Sequence, residues 1–338
     1  MESLLLHAAI VMSIVFAFLN GYQDGSNVVA TSILSRSVPA GRALLLASLA
    51  ELAGALLLGS SVARTIWEMI DPLFFQSGMR IGSVVIFSAV GAMVSWTPMA
   101  WWVGIPPSST HALLGGLLGA ALAGMDPGRI HWILFLRLLV VLLFAPVAGA
   151  LAGSALAVFL RPPKGGEATA SPRSPGRIAG LLIIGICHGT NNAQKEMALI
   201  TMALISLGSL GNFVVPVWVL LVCGLSLALG VYLGGWNIVR ILGNRFFTIR
   251  PIHSFLSQTL SAAILLASTF SGSPVNGVEV VKATVAGVGG GKRSGSAYRN
   301  LSRDVLLALT VTLPASALIA AAIFWILSGA MGVGIGTP

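Results

Sequence analysis

Residues 213–239 read FVVPVWVLLVCGLSLALGVYLGGWNIV, without one Asp, Glu, Lys or Arg. A helix rising 1.5 Å per residue needs about 20 apolar residues to cross a bilayer's hydrocarbon core, so this run suffices by itself. Residues 138–160, and everything from residue 305 onward, are equally free of charge. Over all 338 residues, 56% are hydrophobic and 9% charged, against about 25% charged in a soluble domain; mean hydropathy is +0.93. In lipid every backbone N–H and C=O must be satisfied internally, and richness in Gly and Ala points to closely packed helices rather than a barrel. The fold class is an all-α membrane protein.

The net charge of +9 does not indicate nucleic acid, because Lys and Arg fall between the hydrophobic runs and not on one soluble face. Cys187 and Cys223 lie in apolar segments with no metal or haem spacing. The start, Met-Glu-Ser, lacks a basic region ahead of its apolar stretch, so residues 4–19 are expected to be a retained first span.

Around these runs the chain divides into five spans, a linker and five more. The first set lies near 4–22, 43–64, 80–98, 111–125 and 132–160; the second near 178–195, 213–236, 254–271, 279–291 and 304–328. The linker, residues 161–177, reads RPPKGGEATASPRSPGR and is too rich in Pro, Gly and Ser to cross lipid. Apolar stretches containing Val28–Leu34 and Met197–Leu207 are either re-entrant or continuous with their neighbours. With the N-terminus outside, the inner loops collect 13 of the 19 basic residues, among them Arg36, Arg161, Arg245 and Lys292, whereas the 67–76 loop carries Glu68 and Asp71. Excess positive charge marks the cytoplasmic side. Both termini are therefore expected in the periplasm and the linker in the cytoplasm of a bacterial inner membrane. An odd number of spans per half inverts the second half, giving repeats at 1–160 and 178–338, an arrangement that recurs in transporters with a mid-membrane site. The eight Trp residues, such as Trp96, Trp101 and Trp102, read as interface anchors.

Four polar stretches interrupt the apolar pattern in corresponding pairs. Asn20-Gly-Tyr-Gln-Asp24-Gly-Ser-Asn27-Val-Val-Ala-Thr31 answers His188-Gly-Thr-Asn191-Asn192-Ala-Gln194-Lys195; Ile105-Pro-Pro-Ser108-Ser109-Thr110-His111 answers Ser273-Pro-Val-Asn276-Gly-Val-Glu279. Each is expected to break a helix, the two Pro turns as re-entrant hairpins. A helix beginning inside the membrane offers free N–H groups and a positive dipole end, which suit an anion. Asp24 and Asn27 share a face if helical; a carboxylate there holds Na⁺ or H⁺, or accepts a hydrogen bond from HPO₄²⁻, which sulfate, having no proton, does not give. Against this stands structural use: Asp24 as the partner of a Lys, and the Ser-Ser-Thr turn as plain helix capping. Glu51 is either functional or a buried partner of Lys195 or Lys282. Lys195 either counters the anion or pairs with Glu196. His111 and His188 either serve the site or bond a neighbouring carbonyl.

At these residues the chain resembles the inorganic phosphate transporter (PiT) family of cation-coupled phosphate permeases. Residues 20–31 match its Asn-Gly-aromatic-x-Asp-x-small-Asn-x-x-Ala-Thr pattern, with Ser35-Arg36 following. Glu51-Leu-Ala-Gly54-Ala is similar to its Glu-x-x-Gly-Ala helix, residues 107–111 to its Pro-Val-Ser-Ser/Thr-Thr-His turn, and residues 188–195 to its His-Gly-small-Asn-Asp-x-Gln-Lys signature. The resemblance implies two inverted repeats with about ten crossings, a possible homodimer, and phosphate carried with Na⁺ or H⁺. It also implies that Asp24, Asn27 and Asn191 bind the coupling cation and phosphate. Ser108, Ser109 and Thr110 would contact phosphate oxygens, in a site completed by Asn192, Lys195 and Asn276. Gln23, Thr31, Glu51, His111, His188, Gln194, Glu279 and Lys282 stand around that set. Three departures are visible. Asn192 replaces an expected Asp, Asn276-Gly-Val-Glu279 replaces Ser-Thr-Thr-His, and Gln23 stands where bacterial members often have His. Sulfate permeases branch from this family and a lost acid would favour sulfate, so a sulfate or related oxyanion permease is the alternative; Asp24 keeps phosphate ahead. Neither a nucleophile–base set nor a metal-ligand cluster argues for an enzyme, and no cofactor is expected.

Overall fold

The computed structural model describes residues 1–35, 38–77, 79–106, 108–159, 175–243, 251–289 and 294–332. Linker residues 161–174, with Arg36 and Pro107, lie outside them, and the last three residues assigned to the linker open a helix instead. Among the described residues thirteen α-helices follow one another: α1 (Glu2–Leu34), α2 (Ala40–Leu57), α3 (Ser61–Glu68), α4 (Pro72–Ser77), α5 (Met79–Val103), α6 (Ser109–Gly124), α7 (Trp132–Phe159), α8 (Pro175–Ser206), α9 (Val217–Gly243), α10 (Pro251–Phe270), α11 (Gly277–Gly289), α12 (Ser294–Leu307) and α13 (Leu313–Met331). Among the described residues six helical stretches are long and apolar enough to cross a membrane: Glu2–Leu34, Ala40–Leu57, Arg80–Val103, Trp132–Val158, Val217–Trp236 and Ala297–Met331. The protein is a multi-pass, nearly all-helical membrane protein.

Close packing is made by glycine. α1 lies on α9, where a Cβ on Gly21 would sit 2.1 Å from the Leu227 carbonyl oxygen and one on Gly234 2.0 Å from that of Tyr22. α2 lies on α8 in the same way, with Gly54 against Ile186 and Gly189 against Glu51. Further along, α6 packs on α13 through Gly115 and Gly119, and α7 on α11 through Gly153 and Gly287. Lipid tails supply no hydrophobic force between helices, so van der Waals contact at small residues carries the association.

Three readings of the sequence are corrected here. The Asn20–Thr31 and His188–Lys195 stretches do not break their helices: α1 and α8 run through them unbroken. Their glycines serve close helix contact rather than a turn, and the apolar stretches that follow are continuous with their neighbours. The span expected over 43–64 is two helices, because α2 ends at Leu57, the chain turns at Gly59 with φ of 81°, and α3 starts at Ser61. A positive φ costs glycine nothing and so ends a helix cleanly. Trp101 and Trp102 are exposed, as an anchor requires, but Trp96 is buried.

The two Pro turns do break the chain. Gly104 and Gly272, both at positive φ, turn the chain out of α5 and α10, and α6 and α11 start a few residues later. Between α12 and α13 the helix widens to π geometry over Ala308–Thr312, just before Pro314. Proline has no N–H to give and displaces the carbonyl one turn back.

Candidate functional site

The tips of the two hairpins meet. Ser108 is the N-cap of α6, its hydroxyl accepting from the His111 N–H at 3.5 Å. Asn276 plays that part for α11, its carbonyl accepting the Val278 N–H at 3.2 Å. Across the junction Thr110 Oγ1 donates to the Val275 carbonyl at 3.3 Å, and Asn276 Nδ2 donates to Ser108 Oγ at 3.1 Å. Two short helices thus direct their positive ends at one point.

α8 supplies the wall behind them. Lys195, 1% exposed, donates from Nζ to Ser109 Oγ at 2.8 Å, Asn192 Oδ1 at 2.8 Å and Thr110 Oγ1 at 3.4 Å. These contacts fix the protons of the neighbouring side chains. An ammonium only donates, so the Asn192 atom facing it is the carbonyl oxygen. The Asn192 amide then faces His188 and donates to Nε2 at 2.9 Å. Nε2 must accept, which leaves the ring proton on Nδ1, and Nδ1 donates to Glu51 Oε1 at 3.0 Å. Glu51 and His188 are both buried. An ionised Asp at position 192 has no hydrogen to give His188. The amide serves the lysine and the imidazole together, which gives the departure at Asn192 a physical reason.

Asn191, one residue earlier, holds the second hairpin. It donates to Thr269 Oγ1 at 3.1 Å and the Ser273 carbonyl at 3.3 Å, and its own carbonyl accepts the Val275 N–H at 3.1 Å. Gly277 packs so closely against the His188 ring that a Cβ would lie 2.6 Å from Cδ2. On α1, Asp24 is partly exposed, accepts a hydrogen bond from Asn192 and lies near the charges of His188 and Lys195. Gln23 is half-buried beside it. Asn27 lies in α1, and its side chain is outside the described residues.

Asp24, Glu51, Ser108, Ser109, Thr110, His111, His188, Asn191, Asn192, Lys195, Asn276 and Glu279 are therefore brought together. Three expected members sit elsewhere. Lys282 is exposed and bonds Asp304 at 2.8 Å, so Glu51 has His188 as its partner instead of either lysine. Thr31 accepts from Gln258 Nε2 at 3.0 Å, on the α10 side. Gln194 turns to α3, where Oε1 accepts the Val62 N–H at 2.7 Å and that of Ala63 at 3.2 Å, satisfying the helix start created by the turn at Gly59. Thr269 and the Ser273 carbonyl were missed: a lone hydroxyl in an apolar helix carries no signal by itself. Glu196, one helical turn after Asn192 on α8, accepts from Asn20 at 3.3 Å; its charge inside an apolar run was the available clue.

The whole chain matches known proteins along its length. The model described as "Phosphate transporter family" matches residues 20–174 and 176–320. A Rhizobium meliloti (strain 1021) protein named "Probable low-affinity inorganic phosphate transporter" is 33% identical over 324 residues, covering 94% of this chain and 95% of that one. A Bacillus subtilis (strain 168) protein of the same name is 30% identical over 325 residues, covering 94% and 96%. The solved structure titled "The sodium-dependent phosphate transporter" has the same fold, with a TM-score of 0.81, 20% identity and coverage of 96% of this chain and 99% of that one. With two model matches spanning both halves, and relatives at this identity over nearly their full length, the chain belongs to the phosphate transporter family.

Proposed function

We propose that the protein imports inorganic phosphate in symport with Na⁺ or H⁺, by alternating access of two inverted repeats. One observation carries the reading: two helix N-termini and the buried Lys195 ammonium converge on the same hydroxyls. Positive dipole ends and a desolvated cation at one place are costly unless an anion joins them. Phosphate takes hydrogen bonds from Lys195, Ser108, Ser109 and Thr110, which Asn192 and Asn276 hold in place. Asp24 accepts a hydrogen bond from HPO₄²⁻ and, with Asn27 and the second lone pair of the Asn191 carbonyl, holds the coupling cation. The Glu51–His188–Asn192 chain holds the Lys195 partner in place.

The repeats are residues 1–160 and 178–338, joined by 161–177. The pairings α1 on α9 with α2 on α8, and α6 on α13 with α7 on α11, exchange under a two-fold relation between halves and support it. Ten crossings result when α6, α8, α10 and α11 join the six long apolar stretches. The positive-inside pattern puts the linker in the cytoplasm and the termini in the periplasm of a bacterial inner membrane.

Uptake of labelled phosphate by proteoliposomes tests this. Uptake is expected to follow an imposed Na⁺ or H⁺ gradient and to be blocked by excess phosphate, not sulfate. Sulfate entry that phosphate does not compete with refutes the choice of anion. Reporter fusions at Gly166 and at the C-terminus are expected to report opposite sides; the same side for both refutes the inverted repeats.

A further inference from the structure

A thread of hydrogen bonds crosses between the hairpin tips, and nothing in the phosphate site above uses its far end. His111 Nδ1 pairs with Ser108 Oγ at 2.7 Å; Asn276 Nδ2 donates to Ser108 Oγ at 3.1 Å and to Glu279 Oε1 at 2.7 Å. With its carbonyl taken by the Val278 N–H, Asn276 has both amide protons and its oxygen engaged. At the ends of the thread, Glu279 Oε2 and His111 Nε2 are buried with no hydrogen-bond partner among the described residues. Glu279 is only 3% exposed.

A carboxylate removed from water needs donors on both oxygens, and a bare one is costly. A proton on Oε2 removes the charge that makes it so. The neighbour on the other oxygen is an amide donor, which suits a carboxylate or a carboxylic acid and opposes a metal ion. Glu51 Oε2 and Glu196 Oε2 also lack partners among the described residues, but Glu51 has the His188 ring as partner and Glu196 accepts from Asn20 of α1. Glu279 alone of the three is wired to both hairpins.

We propose that Glu279 binds the proton co-transported with phosphate, and that its charge sets how firmly the two hairpin tips are tied. The inference rests on the transport reading above and adds, beside the cation held at Asp24, a separate site for H⁺ at Glu279 Oε2. Ionised, Glu279 holds the Asn276 amide by a charge-assisted bond, and the same amide holds Ser108. Protonated, it grips Asn276 less, and the Ser108 contact loosens with it. The proton enters on Oε2 with phosphate bound and leaves on the side where phosphate is released. The titratable and charged groups facing it are Asp24 on α1, His188 on α8, His111 on α6 through Ser108, Lys282 on its own helix and Asp304 on α12. Arg137 of α7 donates to the Ser271 carbonyl in the same turn, while His253 lies at the opposite end of α10.

Proteoliposomes containing the full chain, with a pH indicator outside, test this when labelled phosphate is added. Wild-type uptake is expected to alkalinise the medium in step with phosphate entry. Glu279→Gln keeps the shape and removes the titrating oxygen; its proton-to-phosphate ratio is expected to fall about tenfold, within the usual range of coupling factors. Glu279→Asp, which restores a carboxylate, is expected to recover part of the ratio. Glu279→Gln moving protons with phosphate at the wild-type ratio overturns the proposal. So does wild-type phosphate uptake with no alkalinisation, a result that needs no variant to fold. Wild-type protein that carries no phosphate overturns the transport reading itself and this inference with it, whereas the other two results leave phosphate transport standing.

Discussion

Gly189→Ala should separate the two helices that hold the site together. An added Cβ would lie 2.2 Å from the Glu51 carbonyl oxygen and 2.5 Å from its Cα, where ordinary contact begins at 3.4 Å. Both atoms are backbone, so no side chain can swing away; α2 and α8 must part by more than 1 Å. Overpacking of this kind costs about 1–3 kcal/mol, or about 5- to 150-fold in an equilibrium constant. The same displacement stretches the His188 Nδ1–Glu51 Oε1 bond from its 3.0 Å past the roughly 3.5 Å limit of a useful hydrogen bond. Release of that pair frees His188 from its tautomer, and with it the Asn192 amide and the oxygen that Lys195 bonds. Thermal unfolding in detergent and proteoliposome phosphate uptake are the paired assays. A melting temperature lower by about 1–4 °C is expected, with uptake lost out of proportion to the protein that remains folded. Gly329→Ala is the control: nothing lies within 4 Å of its Cβ position, and alanine in an open helical site is neutral or mildly stabilising. Wild-type melting and uptake in Gly189→Ala would mean that the helices do not touch there, and the chain of reasoning from Gly189 to Lys195 fails.

Asp24→Asn is expected to abolish cation-dependent phosphate uptake, because the amide neither holds a cation's charge nor acts as carboxylate acceptor; undiminished uptake removes Asp24 from the site. His188→Ala strips Glu51 of its donor and is expected to cost about 3–5 kcal/mol in chemical unfolding, as for a broken buried pair. In the double variant with Glu51→Gln, the cost should fall short of the sum of the singles by about 1–3 kcal/mol, and strict additivity refutes the pairing. Gln194→Ala leaves the Val62 and Ala63 amides without their acceptor and is expected to cost about 0.5–2 kcal/mol, as loss of a helix cap does; an unchanged melting temperature shows that water replaces it.

Much of the site was legible because charge and hydroxyl clusters stand out in an apolar chain. Asp24, Ser108–His111, Asn191, Asn192 and Lys195 were picked out on that ground, and the structure gathers them at one junction. Legibility ended where residue type allows two uses. The Gly residues near Asp24 and His188 read as helix breakers, yet Gly21 and Gly189 permit backbone contact between straight helices. Gln194 and Lys282 read as site residues from their neighbours in sequence, yet one caps α3 and the other pairs with Asp304. Residues one or two apart in a helix face different neighbours, and sequence spacing cannot tell which helix stands on which side.

The sequence by itself determined the solvent, the helical class and the two hairpin turns, because those follow from local chemistry: length of apolar run, backbone satisfaction in lipid, and Pro and Gly at the breaks. Tertiary structure alone decided the partners. That Glu51 meets His188, that Lys195 reaches Ser109 and Thr110, and that Asn276 meets Ser108 are contacts between residues far apart along the chain. They are set by how closely glycine-lined helices approach one another, a distance that no single segment encodes.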